Sequence, residues 1–154
     1  MEKMKKQESV SLEFESYSHN EQFARVVAAV FAARLDPTVE EVEDIKTAVS
    51  EAVTNCVIHG YPMGGGEVSL SAQLEEDGLL TLEVRDAGVG IANVEQAMQP
   101  FYSTDRAHER SGMGFMVMQS FMDSVEVRSA LRIGTSVRME KQLRQSQEQP
   151  AKMA

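Results

Sequence analysis

Glu51 and Asn55 are a pair of side chains whose types and spacing could perform chemistry. A separation of four residues places both on one stripe of a helix, and four further residues lead to His59. A carboxylate can accept the proton of a nucleophile, and an amide oxygen one turn away can bind Mg²⁺. A solvated helix face is the alternative, because this stripe lies away from the apolar face. His59 is interpreted as a packed or partly exposed histidine rather than a metal ligand.

A second motif, Asp86-Ala-Gly-Val-Gly90, follows a segment of alternating strand pattern. The Asp86 carboxylate could accept a hydrogen bond from an exocyclic amine such as adenine N6, and Gly88 and Gly90 would let the backbone approach a flat ring. A turn initiated by the aspartate, with no ligand, fits the same residues. The spacing differs from the Gly-x-Gly-x-x-Gly pattern of dinucleotide-binding folds.

A third motif, Arg110-Ser-Gly-Met-Gly-Phe115, ends a long loop and begins a helix. Glycines at this position expose backbone N–H groups, a helix N-terminus favours anions, and Arg110 adds positive charge. Taken alone, the motif is weak evidence for a phosphate site. The loop before it, residues 100–111, is long enough to form a mobile lid. A fourth motif, Gly134-Thr135, predicts by itself only a turn followed by a strand.

The elements that must position these motifs follow from changes in hydrophobic period. We predict a strand at 10–14, helices after 18 and 37, strands at 68–72 and 80–84, helices at 93–98 and 115–122, and strands at 125–127 and 135–139. This order predicts an α+β sandwich in which helices pack on one face of a mixed sheet.

Both long helices are predicted to begin at capping boxes, the first at Ser18 and Glu21 and the second at Thr38 and Glu41. Apolar residues at helical spacing predict the core-facing side of the first helix. They are Phe23, Val26, Val27, Val30 and Phe31.

Length, charge and cysteine count restrict the class of protein. The 154 residues fit one domain, predicted at 9–143, with a flexible segment at 1–8 and a disordered Gln-rich tail at 144–154. A net charge of −9 argues against nucleic acid or an anionic membrane as the main partner, and one cysteine excludes an internal disulfide. Without a long apolar run or a secretory h-region, the expected location is the cytoplasm.

In this order and in these settings, the four motifs resemble the nucleotide-binding boxes of the GHKL superfamily of ATPases and kinases, whose fold is called the Bergerat fold. The resemblance covers about residues 9–141. Further segments, including Leu35-Asp-Pro37 and Ile58-His-Gly-Tyr61, look like the sporulation anti-sigma F factors, a family of ATP-dependent serine kinases. The stress-response anti-sigma B family is the alternative.

The resemblance implies roles for individual residues. Glu51 would be the general base, Asn55 the Mg²⁺ ligand, and Asp86 the reader of the adenine amine of ATP. Gly88 and Gly90 would let the base lie close. The other nucleotide-binding residues that it implies are Ser103, Thr104, Arg106, Arg110, Ser111, Gly112, Met113, Gly114, Phe115 and Thr135.

One departure from the family pattern affects the lid. Relatives often place a lysine after paired hydroxyl residues, whereas this sequence continues from Ser103-Thr104 with Asp105 and Arg106. Either Arg106 takes over the phosphate contact or the lid closes differently.

The resemblance also implies protein partners. These are a sporulation sigma factor, an anti-anti-sigma protein that is phosphorylated on serine, and a second copy of the chain in a homodimer. Arg25 would lie on the surface that contacts the sigma factor and the anti-anti-sigma protein in turn. Two other functions stay open: a module that sequesters its partner under nucleotide control without kinase activity, and a free-standing ATPase with an unrelated target.

Overall fold

The computed structural model describes residues 7–99 and 114–144 of the chain. Five strands form one sheet in this part: β1 (Gln7–Glu15), β2 (Glu67–Glu75), β3 (Leu79–Asp86), β4 (Ser124–Ala130) and β5 (Gly134–Gln142). The helices are α1 (Asn20–Ala32), α2 (Val39–Asn55), α3 (Val94–Ala97) and α4 (Gly114–Phe121). A 3₁₀ turn, Ala33–Leu35, follows α1, and a π-helical turn, Cys56–Gly60, extends α2. The predicted lid and the last ten residues lie outside the described ranges, as do residues 1–6.

The sheet has the order β1-β2-β3-β5-β4, and each neighbouring pair is antiparallel. The predicted α+β class is confirmed, but the expected mixed sheet is wrong for the described strands. The reason is the position of β5. Strands β3 and β4 run in the same direction, and β5 lies between them and pairs antiparallel with both.

The core lies between one face of the sheet and the helices. Strand β2 shows the period of two that a half-buried sheet requires, and β3 follows it except that Thr81 is buried as well; β5 contributes Val137 and Met139 to the same core. The largest side chains that are fully buried are Ile45, Leu70, Leu74, Leu80, Leu82, Met118, Met139 and Leu143. In the described ranges, no helix has both the length and the apolar character needed to cross a membrane.

Helix α1 packs mainly through small residues, and of the predicted apolar face only Phe31 is buried. Its buried residues are Ala24, Ala28, Phe31 and Ala32, which lie on one side at helical spacing. Phe23, Val26 and Val30 are 54%, 50% and 66% exposed. The prediction assigned the large apolar residues of α1 to its core-facing side, but alanines allow a helix to approach its neighbours more closely. An apolar stripe of Phe23, Val26 and Val30 is therefore left on the surface.

The two predicted capping boxes have different outcomes. At α2 the Thr38 side chain accepts a hydrogen bond from the Glu41 backbone N–H, and the Glu41 side chain accepts one from the Thr38 N–H. At α1 the residue before the helix is His19, whose backbone is already helical and whose side chain makes no capping bond. The box predicted at Ser18 and Glu21 is wrong, because the N-cap of α1 is His19, one residue later, and its backbone is not the extended one from which a side chain could reach back.

Glu41 also joins the start of α2 to the end of the sheet. It is 5% exposed; Oε1 accepts from the Thr38 N–H at 2.9 Å and Oε2 accepts from the Arg144 N–H at 2.7 Å. Because Glu41→Ala leaves two backbone donors without this acceptor, we expect the free energy of unfolding to fall by about 2 kcal/mol. Urea denaturation would measure the change, with the exposed neighbour Glu40→Ala as the matched control. A loss no greater than that of Glu40→Ala would contradict the assigned contacts.

Candidate functional site

Three polar residues lie side by side where the helix-covered face of the sheet ends. Asp86 on β3 pairs with Thr135 on β5, and Thr135 pairs with Ser129 on β4. The row two residues before Asp86 is apolar and consists of Val84, Val137 and Val127. Since residues two apart on a strand point to the same face, the apolar core changes into a polar row at this edge.

Asp86 is held in place by two glycines, Gly60 and Gly88, that pack closely against its side chain and against each other. Its Oδ1 accepts a hydrogen bond from the Gly88 N–H at 2.9 Å. A Cβ on Gly60 would lie 2.8 Å from Asp86 Cγ, and a Cβ on Gly88 would lie 1.9 Å from the Gly60 carbonyl oxygen. The Val89 N–H donates to that carbonyl at 2.9 Å. Gly60, the last residue of the π-helical turn, is the surface against which the segment after β3 packs.

The same segment is fixed on its other side by the turn between β4 and β5. Gly90 has φ +79°, and a Cβ there would lie 2.2 Å from the Ala130 carbonyl oxygen. The Arg132 N–H donates to the Val89 carbonyl at 2.8 Å. Gly90 is therefore required both by its left-handed backbone and by the space available.

Tyr61 ties the segment after β3 to the start of β2. The π-helical turn closes with a hydrogen bond from the Tyr61 N–H to the Cys56 carbonyl at 3.0 Å. The Tyr61 hydroxyl accepts from the Ala87 N–H and donates to the Glu67 carbonyl, both at 2.7 Å. The residue directly after Asp86 is thus tied to the first residue of β2.

Glu51 and Asn55 lie at the opposite end of the site, beside the start of α4. An added Cβ on Gly114 would lie 3.2 Å from Asn55 Oδ1 and 3.4 Å from Glu51 Oε1. The predicted stripe of α2 therefore faces the N-terminus of α4, where backbone N–H groups favour an anion. A carboxylate, an amide and an anion-binding helix end meet at this point.

A cleft of about 560 Å³ connects the two ends. Its walls include Asn55, Asp86, Gly90, Thr135 and Phe115, together with apolar side chains from α3 and the segment before it. An elongated cleft with an acceptor at one end and an anion site at the other fits a ligand that joins a flat amine-bearing ring to phosphates.

Oxygen ligands suit Mg²⁺, which usually takes one or two protein groups together with substrate phosphates. In the ranges 7–99 and 114–144, no three His, Cys, Asp or Glu side chains form a metal-binding group. Asn55 and the nearby Glu51 fit a metal that is held mainly by phosphate oxygens, and a site built from protein ligands alone is not formed by the described residues.

Cys56 lines the cleft beneath Asp86 and is 3% exposed. Burial raises the pKa of its thiol well above the ordinary value, and the neighbouring Asp86 carboxylate raises it further by its charge and by accepting a hydrogen bond. Because only the thiolate reacts, we expect a disulfide reagent at pH 8 to modify the native chain on the order of 10²-fold more slowly than the chain in denaturant. Equal rates would contradict the burial and protonation of this thiol.

The same thiol makes stability depend on pH. Its contribution is fully present below the pKa of the unfolded thiol and is lost as pH rises through the higher pKa of the folded one, because the unfolded chain releases the proton first. The free energy of unfolding should therefore decrease above about pH 9 relative to that of Cys56→Ala. Urea titrations of both chains between pH 7 and 10 measure this, and parallel curves would contradict it.

Comparison with known proteins places this geometry in a family. The model of the histidine kinase-like ATPase domain matches residues 16–141. An anti-sigma F factor from Clostridium acetobutylicum is 54% identical over 132 residues, which are 86% of this chain and 92% of that protein. One from Priestia megaterium is 49% identical over 138 residues, 89% of this chain and 94% of that protein. The chain belongs to the anti-sigma F factor family.

Solved structures agree on the fold. The RsbU and RsbW domains of a Mycobacterium tuberculosis protein superpose with a TM-score of 0.63 at 17% identity, covering 88% of this chain and 32% of that one. A histidine kinase domain from Erythrobacter litoralis gives a TM-score of 0.54 at 17% identity, covering 84% of this chain and 62% of that one. The Bergerat-type fold expected from the sequence is confirmed.

In this anti-sigma F family member, the structure brings the predicted nucleotide-site residues of the described ranges to one cleft, with Glu51 and Gly88 directly beside its lining residues Gly114 and Asp86. Asp86, Gly88, Gly90 and Thr135 lie at one end, and the group at the other end comprises Glu51, Asn55, Gly114 and Phe115. Arg25 lies on α1, apart from the cleft. Seven predicted residues lie outside the described ranges: Ser103, Thr104, Arg106, Arg110, Ser111, Gly112 and Met113.

Sequence reasoning missed three residues of the site in this anti-sigma F family member: Ser129, Tyr61 and Cys56. Ser129 could have been found from the alternation of β4, because it follows Val125 and Val127 on the inward-facing side. Tyr61 acts through hydrogen bonds with Ala87, which is 26 residues away, and with Glu67, the first residue of β2. The sequence identifies Cys56 only as the single cysteine, and the fold is needed to place it against Asp86.

Proposed function

We propose that this chain is an ATP-dependent protein serine kinase that also binds and inhibits a sporulation sigma factor. Its substrate is a serine of a small anti-anti-sigma protein, and phosphorylation releases that protein. The observation that carries the proposal is the cleft that joins Asp86 to Asn55, with Glu51 beside its lining residue Gly114, in a chain about half identical to proteins named anti-sigma F factor. A sigma-factor inhibitor acts where transcription occurs, so the proposed location is the cytoplasm.

In the proposed mechanism each end of the cleft has its own task. Asp86 accepts a hydrogen bond from the adenine amine, and Gly88 and Gly90 allow the ring to lie against the backbone. The N-terminus of α4 holds the phosphates. Glu51 accepts the proton of the substrate hydroxyl as the serine oxygen attacks the terminal phosphorus, and ADP leaves with the electron pair of the broken bond. Asn55 would hold Mg²⁺ together with the nucleotide, and the bound ion would supply neutralisation of charge on the transferred group.

Intact-mass spectrometry tests the activity. The candidate anti-anti-sigma protein would be incubated with this chain and Mg-ATP, and the expected result is the gain of one phosphoryl group. Bound ATP without any gain in mass would favour the alternative function, a sequestering module under nucleotide control. A pull-down with the sigma factor tests the inhibitory function separately.

The apolar stripe of α1 supports the proposed protein contacts. Phe23, Val26 and Val30 are exposed on one side of α1, a helix that contacts the edge strand β1. Burial of such a stripe against a second copy of the chain would remove apolar area from water, and homodimer formation is part of the proposal.

Arg25 lies on the same helix, about 100° around its axis from Val26, and is only partly exposed. Its Nε is buried, and no hydrogen-bond acceptor for it is found among the described residues. A protein partner could supply that acceptor, so we expect Arg25→Glu to weaken binding of the sigma factor and of the anti-anti-sigma protein by about 10- to 100-fold each, as loss of a buried interface arginine does. Surface plasmon resonance would measure both affinities.

The control for Arg25 is Arg128→Glu, which reverses an exposed arginine on β4, at the other end of the sheet. ATP affinity should be unchanged in both variants. Partner affinities of Arg25→Glu equal to those of Arg128→Glu would return Arg25 to the role of a surface arginine.

A further inference from the structure

Ser129 makes three close polar contacts through a single oxygen. The Ile91 N–H donates to Ser129 Oγ at 2.7 Å. Ser129 Oγ also lies 3.0 Å from the Gly134 carbonyl oxygen and 2.8 Å from Thr135 Oγ1. One side chain of β4 therefore joins the segment after Gly90 to the start of β5.

The number of protons available decides the direction of these bonds. A carbonyl can only accept, so the contact with Gly134 uses the one hydroxyl proton of Ser129. The Ile91 N–H is a donor and brings its own proton. The remaining contact can be a hydrogen bond only if Thr135 donates its proton to Ser129.

With its proton committed in this way, Thr135 offers only lone pairs to the cleft. It lies beside Asp86 in the sheet register, and an ionised carboxylate is also purely an acceptor. This end of the cleft therefore requires donors from its ligand, directly or through one water. Adenine carries an amine at its six-position, whereas guanine carries a carbonyl oxygen there.

We propose that Ser129 is a positioning residue that fixes the Thr135 hydroxyl as an acceptor and so helps the site to select adenine over guanine. The inference rests on the proposed use of ATP at this cleft. In Ser129→Ala the Thr135 hydroxyl is free to rotate and to donate. It could then donate a hydrogen bond to the carbonyl of guanine, so binding of guanine becomes less unfavourable.

The test measures the dissociation constants of ATP and GTP by isothermal titration calorimetry. We expect Ser129→Ala to reduce the ratio of GTP to ATP dissociation constants about tenfold, the effect of one mismatched buried hydrogen bond. Ser129→Thr keeps the hydroxyl and should retain most of the wild-type ratio. In a Thr135→Val background, Ser129→Ala should leave the ratio unchanged, because the hydroxyl whose direction it controls is absent.

A purely structural role for Ser129 has a different outcome. Loosening of the segment at Ile91 would weaken ATP and GTP equally, and a ratio within twofold of wild type would overturn the proposal. Ser124→Ala, an exposed serine of the same strand, is the matched control. If Ser129→Ala does not fold, Thr135→Val alone must still lower the ratio, or the proposal fails. Absence of ATP binding to the wild-type chain would instead refute the proposed function.

Discussion

Replacement of Glu51 by glutamine is expected to lower the rate of phosphoryl transfer to the anti-anti-sigma protein by roughly 10²- to 10⁴-fold. Glutamine keeps the size and polarity of the side chain but cannot accept the proton of the attacking hydroxyl. Glu51 Oε1 and Asn55 Oδ1 approach the same point at the start of α4, so the change is confined to the phosphate end of the cleft. Single-turnover assays with saturating Mg-ATP measure the chemical step.

Two further measurements on Glu51→Gln separate chemistry from binding. ATP affinity and sigma-factor binding should stay within about threefold of wild type, since neither requires a proton acceptor. Glu40→Gln, an exposed carboxylate in the first turn of the same helix, is the control and should retain full transfer activity. A parallel loss of transfer and sigma binding would show that Glu51 maintains the fold rather than the reaction.

Replacement of Asp86 by asparagine is expected to weaken ATP binding by about 10²-fold or more. The amide occupies the same space, but one of its two positions is now a donor. Oδ1 already accepts from the Gly88 N–H, so the asparagine oxygen is held by that bond and its NH₂ group faces the ligand. Two donors, the amide and the adenine amine, then oppose each other.

Calorimetric titration with ATP measures the effect of Asp86→Asn. Glu83→Gln is the matched control, because it lies on the same strand and accepts from the Ser136 hydroxyl on the other face of the sheet. The control should bind ATP as the wild type does. Unchanged ATP affinity in Asp86→Asn would show that the adenine ring does not lie at this carboxylate.

Local patterns were sufficient for much of this architecture. The α2 capping box at Thr38 and Glu41 was predicted because its two partners are three residues apart and need no tertiary structure. Asp86 was found because it ends a strand of regular alternation.

The features that sequence reasoning missed depend on contacts between distant segments. The buried side of α1 consists mainly of alanines, because close approach to neighbouring elements mattered more than side-chain hydrophobicity. The network at Ser129 forms only when β5 pairs with both β3 and β4, and that pairing also made the sheet antiparallel throughout the described strands. Neither can be read from one segment alone.

The burial of Cys56 makes the chain convenient for spectroscopy. It is the single cysteine of the sequence, and it lies beneath Asp86 with 3% exposure. A cysteine introduced at Met63, which is 95% exposed in the turn before β2, would take up a thiol-reactive fluorophore while the native thiol stays unlabelled. Because Pro62 lines the cleft, such a dye would be placed close to a bound nucleotide without removal of any native side chain of the cleft.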